Sequence, residues 1–240
     1  MRANAVIVAA GDGKRMNSAT PKVFLSVKGK PLILYTLERF VAAQTIGRVI
    51  LVVPERELAR CDALIRAERG LKALCYTLQP GGARRQDSVS QGLACLDRDC
   101  EVVVVHDGAR PFVPPVLVDQ CVEAALREGA AVVGLPAGDT VKRVSAERVV
   151  CKTLAREGLW QIQTPQAFRT ELIREAYERA EQEHTEATDD AMLVERLGKT
   201  VVVLEGDPFN IKVTVPQDLV LAEMLIGKNL PLQTSVSLGR

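Results

Sequence analysis

Three short segments of this 240-residue chain hold residue types that suit the binding of phosphorylated molecules. The first is Ala9-Ala10-Gly11-Asp12-Gly13-Lys14-Arg15-Met16, followed by Pro21-Lys22. Glycines let successive backbone N–H groups turn toward one anion, and Arg15 and Lys22 add full positive charge, a set that suits a triphosphate. The second, Gly81-Gly82-Ala83-Arg84-Arg85-Gln86-Asp87-Ser88, again joins glycines to a helix start, where Ser88 can donate to a ligand. The third, His106-Asp107-Gly108-Ala109-Arg110-Pro111, follows the valine run 102–105. An Asp at the carboxyl end of a buried strand faces the ligand crevice. Its hard oxygens suit Mg2+, which keeps waters and binds substrate phosphates. Arg110 is placed to hold an anionic group by paired hydrogen bonds. His106 reads as a hydrogen-bonded histidine at a strand end in preference to a base.

Each segment also has a plain structural reading. The first suits a tight turn with solvated basic residues, and the second a charged turn with an ordinary N-cap near Asp87 or Ser88. The third suits an Asp107–Arg110 ion pair closing a turn. Two familiar phosphate loops do not fit: G-x-x-x-x-G-K-[ST] is absent, and the dinucleotide fingerprint needs glycine where Met16 stands. Downstream, Asp139-Thr140-Val141-Lys142, Arg156, Thr164-Pro165-Gln166, Thr188-Asp189 and Asn210-Ile211-Lys212-Val213-Thr214 fall at breaks between elements. Singly, such residues are ordinary surface groups.

The elements that must position these loops alternate along the chain. Strands are expected at 5–9, 48–53, 74–78, 102–105, 131–135, 201–204 and 211–213. Helices are expected at 31–43, 55–68, 88–96, 114–128, 170–183, 189–197 and 216–226. This rhythm implies an α/β fold with a mostly parallel sheet, helices on both faces, and ligands at the carboxyl ends of the strands. It breaks between 138 and 160, where β-type runs at 140–144 and 149–153 flank Ser145-Ala146-Glu147-Arg148. That pattern predicts an inserted β-hairpin arm, which is marginal alone and needs something to pack against. The whole reads as a single domain over 1–227, with a loose tail at 228–240 that lacks periodicity.

Composition narrows the class. At 47% hydrophobic and 25% charged, the chain has enough apolar residues for one sizeable core. A formal net charge of +1 argues against nucleic acid as partner. Cys61, Cys75, Cys95, Cys100, Cys121 and Cys151 form no C-x-x-C pair and read as reduced, buried thiols. No apolar run approaches the ~20 residues that cross a bilayer, so no membrane partner is expected, and the expected compartment is the cytoplasm.

Taken in order, the pieces A-A-G-x-G-x-R-M…P-K, G-G-x-x-R-x-D-S, H-D-x-A-R-P, D-T-x-K, R-x-G-L-W-x-x-x-T-P-Q, T-D-[DE]-A and N-I-K-V-T run from Ala9 to Thr214. This set resembles the 2-C-methyl-D-erythritol 4-phosphate cytidylyltransferase family. The resemblance implies a Rossmann-like nucleotidyltransferase fold whose arm interlocks with a second subunit in a homodimer. It implies an enzyme that uses CTP and Mg2+ to make 4-diphosphocytidyl-2-C-methyl-D-erythritol and pyrophosphate, a step of the non-mevalonate isoprenoid route.

Carried over residue by residue, the resemblance makes Arg15, Lys22, Arg156 and Lys212 the catalytic charges. It places Ala9, Ala10, Gly11, Gly13, Lys22, Gly82, Asp87, Ser88 and Asp107 on the nucleotide, with Asp107 also at the metal. It assigns Asp107, Arg110, Thr140, Arg156, Thr164, Thr188 and Lys212 to the sugar-phosphate pocket, Thr140 and Arg156 coming from the partner's arm. Two positions depart from the pattern. Gly108 stands where the family commonly has Ala, and Asp12 puts a negative charge in the phosphate loop. The alternatives are a sister enzyme acting on ribitol 5-phosphate and a non-catalytic nucleotide-binding module.

Overall fold

A run of consecutive valines suits a strand covered on both faces, and the valines at 102–105 lie in the middle strand of a seven-stranded sheet. The computed structural model describes residues 3–11, 16 and 20–227. Its strands are β1 (Ala3–Val8), β2 (Ser26–Val27), β3 (Lys30–Pro31), β4 (Ile46–Val53), β5 (Tyr76–Pro80), β6 (Val102–Asp107), β7 (Ala130–Pro136), β8 (Lys142–Val144), β9 (Val150–Thr153), β10 (Trp160–Arg169) and β11 (Val202–Glu205). Its helices are α1 (Leu32–Ala42), α2 (Leu58–Ala67), α3 (Arg85–Ala94), α4 (Pro115–Glu128), α5 (Thr170–Gln182), α6 (Asp190–Arg196) and α7 (Pro216–Gly227). The main sheet has the order β11-β7-β10-β6-β1-β4-β5. Every pairing in it is parallel except the two made by β10.

Side chains alternate across the sheet, so each central strand feeds two cores. Ala5, Ile7, Val49, Leu51, Val102 and Val104 pack with α1, α2 and α4 on one face. Val6, Ile50, Val52, Val103 and Val105 pack with α3, α5 and α6 on the other. Fully burying a Val, Leu or Ile side chain is worth about 1.5–3 kcal/mol, so these two cores hold the strand ends in place. Gly92 lets α3 lie close on the sheet: a Cβ there would meet Val6 Cγ1 at 2.4 Å. Pro115 at the first turn and Gly129 at φ +94 bound α4.

Several expectations needed correction. The helix expected at 88–96 starts at Arg85, with Arg84 as N-cap and Asp87 in its first turn, because Asp87 accepts from the Arg84 N–H at 3.0 Å. The segment 55–68 divides into a 3-10 turn, Glu55–Glu57, and α2. Residues 211–213 form no strand; they are a loop pinned to the turn after β6 by Val213 N–H donating to Ala109 O at 2.9 Å. Strand β10 was not foreseen, because Gln161, Gln163, Pro165 and Gln166 look unlike a central strand. Its register with β7 shifts between Ile162 and Gln166, which accommodates Pro165. The short β2–β3 hairpin was also missed. The arm forms as expected: β8 and β9 pair antiparallel between β7 and β10. Among the cysteines, Cys61, Cys100 and Cys121 are buried and Cys95 is half-buried, but Cys75 and Cys151 are exposed. The expected tail, 228–240, lies outside the described residues.

Candidate active site

The loops after β1, β4, β5 and β6 open onto one cleft of about 470 Å³ at the carboxyl ends of those strands. Of the residues named from the sequence, Ala9, Ala10, Gly11, Lys22, Gly82, Ser88, Asp107 and Lys212 line it. The glycines permit close approach of the loops. A Cβ on Gly81 would lie 2.2 Å from Ala10 Cβ, and one on Gly82 would lie 2.4 Å from Asp87 Cβ. Gly108 has a similar cause: an alanine there would put Cβ 2.9 Å from Ile33 Cδ1 and 3.0 Å from Ala9 Cβ. The departure at this position therefore goes with a close fit between the Asp107 turn, β1 and α1.

Asp107 is the centre of the charge arrangement. Lys212 Nζ lies 2.6 Å from its Oδ2, Arg85 Nε 3.4 Å from its Oδ1, and Arg110 Nε 3.8 Å from Oδ2. Burial alone would raise the carboxyl pKa. The ammonium of Lys212 and the guanidinium of Arg85, followed by Arg110, instead hold it well below the usual carboxylate range. Lys22 reaches the same region, donating from Nζ to Val213 O at 3.1 Å. Asp107 and the Asp190 carboxylate behind Arg85 do not balance Lys22, Arg85, Arg110 and Lys212, and the surplus of positive charge favours a polyphosphate.

Backbone contacts fix this arrangement. Arg110 Nη1 donates to Asn210 O at 2.7 Å. Asn210 is fully buried and donates through Nδ2 to Gln163 Oε1 at 3.0 Å and Thr164 O at 2.8 Å. The loop carrying Lys212 is thus fastened to β10 and to the β6 turn. Arg110 Nε is buried with no hydrogen-bond partner among the described residues, and Arg110 is not among the residues that line the cleft. Its pKa is lowered, by burial first.

His106 sits behind Asp107, fully buried, with its ring 5.0 Å from that of Phe40. Nε2 contacts Arg110 O at 3.2 Å, a carbonyl that only accepts, so Nε2 carries the hydrogen. Nδ1 then accepts from the Thr164 hydroxyl at 3.0 Å, and Thr164 Oγ1 in turn accepts from the Asp107 N–H at 3.1 Å. Burial lowers the His106 pKa to about 4, so the ring is neutral near pH 7. The histidine is satisfied, as expected, and it is no base in the cleft.

Other named residues lie elsewhere. Thr164 is buried, and its hydroxyl is engaged beneath Asp107 instead of facing the cleft. Asp87 is at the helix start, paired with Arg84 at 2.6 Å. Thr188 is exposed, with its hydroxyl 3.8 Å from Met192 Sδ. Thr140 and Arg156 are exposed at the base of the arm, and Arg156 Nη1 donates to Gly138 O at 2.7 Å. Neither lines the cleft of its own chain. Gly13 and Arg15, with Asp12, lie outside the described residues. Arg84 and Arg85 also line the cleft. Arg85 is the arginine of the G-G-x-x-R-x-D-S piece, but that piece gave it no role of its own, and its approach to Asp107 is visible only in the fold.

A doubly covered, mostly parallel sheet whose strand tips carry a glycine-lined, cation-rich cleft is the framework of a phosphate-handling α/β enzyme. The family model described as 2-C-methyl-D-erythritol 4-phosphate cytidylyltransferase matches residues 3–228. A protein of that name from Geobacillus kaustophilus is 44% identical over 230 residues, covering 96% of this chain and 99% of that one. The crystal structure of the Thermus thermophilus protein of that name is 39% identical, with TM-score 0.76 over 94% of this chain and 98% of that chain. The structure of 4-diphosphocytidyl-2C-methyl-D-erythritol synthase from Anaerococcus prevotii is 29% identical, with TM-score 0.83 over 94% and 96%. This chain belongs to the 2-C-methyl-D-erythritol 4-phosphate cytidylyltransferase family, a family of nucleotidyltransferases. That is the family its motifs resemble, and the ribitol 5-phosphate alternative is not favoured. Among the described residues, no helix is long and apolar enough to cross a membrane.

Proposed function

We propose that this cleft transfers the cytidylyl group of CTP to 2-C-methyl-D-erythritol 4-phosphate, releasing pyrophosphate, as a step toward isoprenoid precursors. The observation that carries the reading is the convergence of Arg85, Arg110 and Lys212 on the buried Asp107 carboxylate at the strand tips, with Lys22 lining the same cleft. A phosphate oxygen of the polyol phosphate attacks the α-phosphorus of CTP. The bond from that phosphorus to the β-phosphate oxygen breaks, and pyrophosphate leaves. The nucleophile is already anionic, so no general base is needed, and catalysis consists of positioning and charge stabilisation. Lys22, with Arg15 assigned by family resemblance, offsets charge growing on the α-phosphate and the leaving pyrophosphate. Lys212 holds the second phosphate, and Arg110 belongs to that pocket by resemblance. Thr188 belongs to the same pocket by resemblance alone.

Asp107 fits a Mg2+ site that is completed by substrate. Its carboxylate lines the cleft, and one carboxylate with waters and substrate phosphates would be the donor set for the ion. When bound there, Mg2+ neutralises charge on the triphosphate.

The arm supports a homodimer. Val144, Val149 and Val150 are 53–63% exposed on a hairpin too small to be stable alone. Packing them on a second copy offers a route for Thr140 and Arg156 into that copy's cleft. A pyrophosphate-release assay with CTP, Mg2+ and methylerythritol phosphate tests the activity, with ATP, GTP, UTP and ribitol 5-phosphate as controls. Release only with CTP and methylerythritol phosphate is expected; no release with any polyol phosphate would favour a non-catalytic nucleotide binder. Light scattering of Val149→Asp, expected to shift toward monomer, tests the arm.

A further inference from the structure

Arg85 joins the cleft to a buried anchor. Its Nη1 and Nη2 donate to the two oxygens of Asp190 at 3.1 and 2.7 Å, while Nε faces Asp107 Oδ1 at 3.4 Å. Asp190 is 1% exposed, and Tyr177 Oη donates to its Oδ1 at 2.6 Å. Burial pulls the Arg85 pKa down, but the Asp190 carboxylate reverses this, so the guanidinium stays charged. Burial, then Asp190, raises the Tyr177 pKa, so the phenol keeps its proton and remains a donor. A paired fork of this kind fixes the plane of a guanidinium, and only the Nε edge is left to meet Asp107.

The anchor also ties three elements together. Arg85 opens α3 directly after the Gly81-Gly82 loop, Asp190 opens α6, and Asp107 ends β6. Nearby, Gln86 accepts from the Ala187 N–H at 3.1 Å and donates to Thr185 O at 3.1 Å, which fastens the same helix start to the segment before α6.

We infer that Arg85 is a positioning residue for the transfer reaction: the Asp190–Tyr177 anchor holds its guanidinium so that Nε orients the Asp107 carboxylate toward the cleft. This rests on the role given to Asp107 above. A lysine at this position keeps the charge but cannot make the paired contact with Asp190 while facing Asp107.

The test is a double-mutant cycle on kcat, with Arg85→Lys, Asp107→Asn and the double variant read by single-turnover label transfer from CTP. Arg85→Lys should lower kcat about ten- to hundredfold, the scale of a small misplacement at a reacting centre, with both KM values changed less than threefold. In the Asp107→Asn background, Arg85→Lys should have little further effect. Tyr177→Phe, which keeps the fold's apolar contacts, should give a smaller loss of the same kind and serves if Arg85→Lys fails to fold. Multiplying losses, or a loss confined to KM for CTP, would overturn the Arg85 assignment alone. A fully active Asp107→Asn protein would instead remove the reading of Asp107 on which it rests.

Discussion

Acidification tests the packing behind Asp107 without reference to catalysis. The His106 pKa falls from the ordinary 6.5 to about 4 because the ring is buried, a contribution that also outweighs the pull of Arg110 O and Asp107. Arg110 and Lys212 oppose protonation too. Protonating Nδ1 would remove the acceptor of the buried Thr164 hydroxyl hydrogen, which must then turn away from the ring. The sign follows from linkage: the unfolded chain takes up a proton below about pH 6.5 while the folded one does not, so stability is full above that value and falls as pH drops toward 4. The loss is about 2 kcal/mol at pH 5 relative to pH 8 and levels near 3 kcal/mol below pH 4. The window is clean. The chain has two histidines, and His184 is exposed. The lowered carboxyls of Asp62, Asp87, Asp107, Glu147, Glu183 and Asp218 give stability that is lost only below their unfolded pKa values, about 4. Urea unfolding of chelator-treated protein from pH 8 to pH 5 measures the slope, with His106→Gln as reference. A wild-type stability flat across this range, or an equal slope in His106→Gln, would refute the reasoning.

Lys212→Ala should raise KM for the polyol phosphate about tenfold or more, the scale of one charge-assisted hydrogen bond, and leave KM for CTP within threefold; unchanged steady-state constants for the polyol phosphate would reject the assignment. Gly108→Ala should cost about 1–3 kcal/mol in urea unfolding as an overpacked contact, and adding Ile33→Val should recover part of it, since Ile33 Cδ1 is the first atom met. Burial pushes the Cys61 and Cys121 thiols up to about 12, so an aromatic disulfide reagent at pH 8 should label exposed Cys75 and Cys151 first. Rapid labelling of Cys61 or Cys121 in native protein would show that the core opens.

What the sequence by itself determined was local. Apolar runs set every main-sheet strand but β10 to within a few residues, because a strand covered on both faces is most readily written in Val, Ile, Leu and Ala, as 102–105 shows. The ordered glycine and basic loops identified the family, since each loop follows a strand tip and needs little beyond its own residues to turn. Tertiary structure decided the rest. Strand β10 carries polar side chains because Gln163 and Gln166 are satisfied by partners distant in the chain, Asp207 O and Asp189 among them, and no local pattern announces that. The same holds for Arg85, whose inward direction comes from Asp190, 105 residues away, and for the Thr164 hydroxyl, which His106 and Asp107 claim from another strand. A charge's role depends on what it faces, and what it faces is set by packing between elements that the chain brings together only when folded.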